Sequence, residues 1–179
     1  MKRRTLLGKA ALGAPLLAAG CAVARVNGVT VVSVDVATLD SYAKAVETAG
    51  TALLAVSCIA GPLGTAGVAL AETAISAVAS AISAVDRLSG GKASFSYDSA
   101  SVPAAMTALA GDAAQVLAFV GAAMSKAPAG AVTSQVQAVV AALSTVVALI
   151  QAFVSSVGAV PLPMTGPEAI VTIDAFAAR

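Results

Sequence analysis

Three kinds of residue in this 179-residue chain could carry chemistry: carboxylates, hydroxyls and two cysteines. Histidine is absent, which removes His-ligated metal, His-ligated haem and any Ser-His-Asp triad. Two facing carboxylates can share acid–base work, so Glu72 and Asp112, both beside a helical seam, are the pair to weigh. A hairpin of the second and third helical segments, centred near residue 95, sets Glu72 opposite residue 118. Asp112 then lies about 9 Å away along the axis at 1.5 Å per residue, which predicts two solvated carboxylates rather than a dyad. Asp40, Lys44 and Glu47 fall at i, i+4 and i+7, a surface charge stripe with one i,i+4 pair. Gly61-Pro62-Leu63-Gly64-Thr65-Ala66-Gly67 is glycine-rich, but it lacks the preceding strand and the lysine of a phosphate loop. It predicts a helix–helix turn. Serine is plentiful, yet no Gly-x-Ser-x-Gly occurs. Cys58 lies in an apolar helical segment with no basic neighbour to lower its pKa, and reads as a small buried hydrophobe. No catalytic residue, metal ligand or cofactor site is predicted, and the chain reads as non-enzymatic.

The other cysteine, Cys21, stands in a different setting. The chain opens Met1-Lys2-Arg3-Arg4-Thr5-Leu6-Leu7-Gly8-Lys9, and an uncharged run from Ala10 to Gly20 follows. A basic start and a short apolar run are the first two regions of a secretory signal peptide. The run is shorter than the roughly 20 residues that span a bilayer. It ends Leu17-Ala18-Ala19-Gly20-Cys21, which resembles the lipobox of bacterial lipoproteins, with Ala18 where that family most often has Leu. The resemblance implies cleavage between Gly20 and Cys21, lipid attachment (palmitate among the acyl groups) at Cys21, and a domain anchored on the periplasmic side of a bacterial membrane. Ala22 after the cysteine, where Asp is missing, implies the outer membrane in two-membrane bacteria. Arg3-Arg4-Thr5-Leu6-Leu7 also resembles a twin-arginine export signal, and a basic start serves the general secretory route equally. Loss of residues 1–20 takes away Lys2, Arg3, Arg4 and Lys9, leaving six basic and nine acidic residues and a net charge of −3.

What must position these residues is helical. Leu39, Tyr42, Val46, Ala49, Leu53 and Val56 are spaced alternately by three and four. So are Val68, Ala71, Ile75, Val78, Ile82 and Val85 in a second segment, and Val102, Met106, Leu109, Ala113, Val116 and Val120 in a third. A fourth runs Val132, Val136, Val139, Leu143, Val146, Ile150, Phe153 and Val157. This is the seam of a helical bundle, and Tyr42 and Phe153 on it read as core. Gly61-Pro62-Leu63-Gly64, Ser89-Gly90-Gly91 and Pro128-Ala129-Gly130 mark the breaks, with Gly90 suited to a left-handed cap and Pro103 to a first helical turn. The predicted helices are about 22 to 27 residues, or about 33–40 Å, long. Short connections make neighbours antiparallel. Opposite the fourth seam lie Ser134, Gln137, Ala141, Ser144, Ala148, Gln151 and Ser155.

Three segments alternate in the β manner: Val29 to Val36, Ser94 to Tyr97 and Ala169 to Phe176. The expected architecture is mainly α: an antiparallel up-down-up-down four-helix bundle, rich in alanine. A small sheet of these three segments caps the end that holds both termini, with the first and last paired. The expected organisation is a signal peptide over 1–20, a lipidated tether over 21–28 and the bundle domain over 29–179.

Composition narrows the function classes. The chain is 59% apolar and 11% charged, and 46 residues, about a quarter, are alanine. An average domain is about 25% charged. A disordered chain would be polar, and a nucleic-acid binder would carry a basic cluster beyond the first nine residues. The expected role is a membrane-tethered, non-catalytic lipoprotein with a structural or protein-interaction function and an unidentified protein partner. The alternatives are a membrane-inserted or pore-forming bundle, supported by the uncharged stretch from Ala127 to Pro167, and a carrier of an apolar ligand.

Overall fold

A computed structural model describes residues 21–26, 28–155 and 162–179. The signal segment 1–20, with Gly20, and seam residue Val157 lie outside the described residues. Among the described residues the chain forms five helices and one three-stranded antiparallel sheet. In order these are β1 (Cys21–Val26), β2 (Val29–Asp35), α1 (Val36–Leu54), α2 (Ser57–Ser89), β3 (Ser94–Asp98), α3 (Ala104–Lys126), α4 (Ser134–Val154) and α5 (Gly166–Ala177).

The sheet order is β1-β2-β3. Asn27-Gly28 separates the paired Val26 and Val29, and Gly28 has φ 83°, a conformation that a two-residue hairpin turn requires and glycine adopts without strain. Val32 and Val34 of β2 are 6% and 0% exposed. They pair with Tyr97 and Phe95 of β3, so these residues form the sheet's inner face. On the outer face Ser33 and Ser96 are bonded through their hydroxyls at 2.7 Å.

Two of the sequence expectations about this sheet are corrected. Residues 169–176 do not form a strand; they lie in α5. A strand would put Ala169, Val171 and Ile173 on one face, but Ala169 and Ile173 are fully buried while Val171 is 67% exposed. The residues just upstream decide the matter. Thr165 caps the Glu168 N–H, and the Glu168 carboxylate takes the Thr165 N–H at 2.8 Å, a reciprocal capping box with Pro167 in the first turn. Those bonds hold the Glu168 carboxyl below the usual carboxylate range. The third strand is instead β1, in the stretch expected to be a tether.

Most seam residues lie where the spacing put them, while Val68 and Ile75 are half-buried and Val56, Val102 and Val132 are half-buried just outside the helices. Leu39, Val46, Ala49, Leu53, Val78, Val85, Met106, Leu109, Ala113, Leu143, Val146 and Ile150 are essentially inaccessible. Each fully buried aliphatic side chain of this size contributes about 1.5–3 kcal/mol. Alanines fill the remaining contact positions: Ala43, Ala74, Ala110, Ala123 and Ala142 are all buried, and small side chains let helices approach closely. α1 packs on α2, α4 and α5, while α3 packs between α2 and α4.

The helix ends differ from expectation in one place. α1 stops at Leu54 and α2 starts at Ser57, before the glycine-rich segment. α1 is therefore 19 residues long and α2 33. Gly61 to Gly67 lies within α2, which is broken at Gly64, where φ is 66° and ψ 173°. That backbone region is open almost only to glycine. α2 ends as predicted at a left-handed Gly90, φ 62°, and α3 begins after Pro103. α1 is capped by Asp35, whose carboxylate accepts the Thr38 N–H at 2.7 Å; hydrogen bonding from the Thr38 side chain, then from its N–H, lowers the Asp35 pKa.

Sheet and helices are joined at one end. The Tyr97 hydroxyl donates to the Phe153 carbonyl at the end of α4, and the Val36 N–H donates to the Ala93 carbonyl. α5 closes against the same region. A Cβ on Gly166 would lie 2.5 Å from the Tyr42 hydroxyl and 3.0 Å from Leu149 Cδ1, so any larger residue there requires Tyr42 and Leu149 to shift.

Candidate functional site

Cys21 opens β1, and the register pairs it with Val34, the innermost residue of β2. All of β1 is engaged, from Cys21↔Val34 to Val26↔Val29. The predicted acylation residue therefore belongs to the sheet itself, with no free segment between it and the fold. β1 is also an outer strand. Directly opposed residues of an antiparallel pair share a face, so Val23 lies on the side of its partner Val32. Yet Val23 is 47% exposed and Val32 only 6%. The helices cover β2 and β3 and leave β1 overhanging. Ala22 and Ala24 are exposed as well.

Cys58 is a free, half-buried thiol in the first turn of α2, packed against the core. Of the charge stripe on α1, the Lys44 ammonium donates to Asp40 at 2.6 Å. The hydrogen bond to Asp40 and its charge raise the Lys44 pKa. Glu47 is set back from that pair, and partial burial, followed by repulsion from Asp40, pushes its carboxyl above the usual range.

Glu47 and Glu72 line one open cleft of about 450 Å³ between α1 and α2, together with Thr51, Leu54, Val68 and Ile75. The cleft is a groove on the surface between two helices. Asp112 is not among its lining residues. The carboxylate that shares a site with Glu72 is thus Glu47. The break expected at Gly61–Gly64 would have set residue 47 opposite 78, so the pairing of Glu47 with Glu72 was not readable from the spacing. Among the described residues, no group of three or more Cys, Asp or Glu is placed to hold a metal ion.

Among the described residues, three helices are long and apolar enough to cross a membrane: α2, α3 and α4, with mean hydropathies of 1.7, 1.4 and 2.0 over their best windows. The buried shares of those windows are 33%, 33% and 56%. Comparison with protein-family models, with curated proteins and with solved structures gives no match to this chain.

Proposed function

We propose that the chain is the precursor of a bacterial lipoprotein whose helical domain is tethered through acylated Cys21 and acts in structure or protein interaction rather than in catalysis. The observation that carries this reading is the run Leu17-Ala18-Ala19-Gly20-Cys21 after a basic start and an uncharged stretch. Export by the secretory or the twin-arginine route, and residence on the periplasmic side with the outer membrane favoured, belong to the same proposal. So does an up-down-up-down arrangement of α1 to α4, which is supported by each helix packing on its successor and α4 returning to α1.

The test is palmitate labelling of the wild type and of Cys21→Ala in a bacterial host, with membrane and soluble fractions separated. Label that depends on Cys21, together with a cleaved, soluble variant, supports the tether. A wild type that is cleaved but never labelled rejects it.

A second reading, insertion of the helices themselves, is favoured by a specific observation. Several hydroxyls are bonded back to their own helix: Thr73, Ser80 and Ser83 on α2 and Thr145 on α4 donate to the carbonyl four residues earlier at 2.8–3.1 Å. Hydroxyls satisfied in this way do not require water. A cleaved, unlabelled Cys21→Ala chain that stays in the membrane fraction would put this reading first.

A further inference from the structure

We propose that the free edge of β1 is a membrane-contact surface: the acylated domain sits with this strand against the phospholipid headgroups, rather than standing off on a tether. The inference rests on the acylation of Cys21 and adds to it where the bilayer meets the protein.

The anchor point has no slack. Cys21 is itself paired to Val34, and the next five residues are paired in turn. Acyl chains on Cys21 enter the hydrocarbon, so the Cys21 backbone is held in or beside the headgroup layer, which is roughly 5–8 Å thick on each side. Adjacent strands are about 4.8 Å apart, so β2 comes within one further strand spacing of the same layer. β1 is the outer strand, and among the described residues no other element lies on its free side within the sheet.

The two edges of this sheet are built differently. β3, Ser94-Phe95-Ser96-Tyr97-Asp98, is five residues against six for β1 and, like β1, carries one charged residue, but its outward positions are serines, with Lys92 just before it. Charge and brevity are the usual protections of an exposed edge. β1, Cys21-Ala22-Val23-Ala24-Arg25-Val26, has one charged residue and no proline. Val23 is 47% exposed on the overhanging face. An edge strand that exposes Ala22, Val23 and Ala24 is a liability in water. Against a bilayer, headgroups and their bound water can satisfy its free N–H and C=O groups, and Val23 reaches the acyl boundary.

The experiment uses the acylated protein purified in vesicles of phosphatidylethanolamine and phosphatidylglycerol, with Cys58→Ser to remove the free thiol. A fluorophore is placed at Ala24→Cys or, for comparison, at Ala129→Cys between α3 and α4, and spin-labelled lipids are the quencher. A second version of each carries a flexible Gly/Ser spacer of about ten residues after Cys21, with ends roughly 15–20 Å apart. Quenching at position 24 should exceed that at 129 several-fold, and the spacer should abolish the difference. Equal quenching at the two positions without the spacer, or a difference that survives it, overturns the seating. If mass measurement finds no lipid on Cys21, the anchor itself fails, and that result is separable from a lipidated protein that does not lie down.

Discussion

Glu168 shows how much one residue decides in this chain. Its carboxylate closes the capping box with Thr165, and the bonds that lower its pKa are those that start α5. A carboxyl depressed in the folded state stabilises while it is charged. Its contribution is complete above the unperturbed Glu value of about 4.3 and is lost as pH falls through the lower folded value. Glu168→Ala should therefore be less stable than wild type at neutral pH, and the difference should shrink below about pH 4. Urea midpoints of both proteins over an acid series measure this. Asp35, the N-cap of α1, whose carboxylate is likewise held low by hydrogen bonds, is common to both proteins and cancels in the comparison. Glu47 works in the opposite sense. Its raised pKa, set mainly by burial, means that folding favours its protonated form, so its charging as pH rises costs stability.

At the scale of elements, the seams make the sharpest prediction. Leu143 is fully buried, and Ser144 beside it is exposed. Leu143→Asp removes a core side chain and buries a polar group, a combined cost above about 4 kcal/mol in a domain whose whole stability is of order 5–15 kcal/mol. It should unfold the chain, while Ser144→Asp should change stability by no more than about 0.5 kcal/mol. Circular dichroism melts separate the two, and equal tolerance would mean the seam is misassigned. The four seams were legible because a spacing of three and four has one structural meaning over five or more repeats. α5 was not, because its Ile170, Val171, Thr172 and Ile173 suit a strand by type. The decisive signal, Thr165 to Glu168, lies in the turn before them. β1 was hidden by its neighbourhood: residues after a lipobox read as a tether, although Asn27-Gly28 between valines is a hairpin signal in its own right. The cleft escaped because Glu47 had been accounted for by its own helix, and its neighbour across the groove appears only when α1 and α2 are laid side by side.

The whole molecule is a weakly polar object. Helical surfaces of Ala, Ser, Thr and Gln, hydroxyls folded back on their own carbonyls, and few charges suit water and lipid about equally. Under the anchor proposal, its location is set by the lipid on Cys21 more than by its surface. The sheet is then where the proposed attachment and the fold meet, through β1 on one side and the Tyr97–Phe153 bond to α4 on the other.

Cys21 cannot serve a peptidase and a β-sheet at the same moment. An extended peptide enters a binding cleft through its own main-chain hydrogen bonds, and the main chain that follows the Gly20–Cys21 bond is already committed to Val29 to Val34. Under the anchor proposal, maturation becomes a race between the pairing of β1 and cleavage. The same Gly/Ser spacer after Cys21 removes the competition. In pulse-chase labelling it should shorten the lifetime of the precursor severalfold, and an unchanged lifetime would mean that β1 opens faster than the peptidase acts.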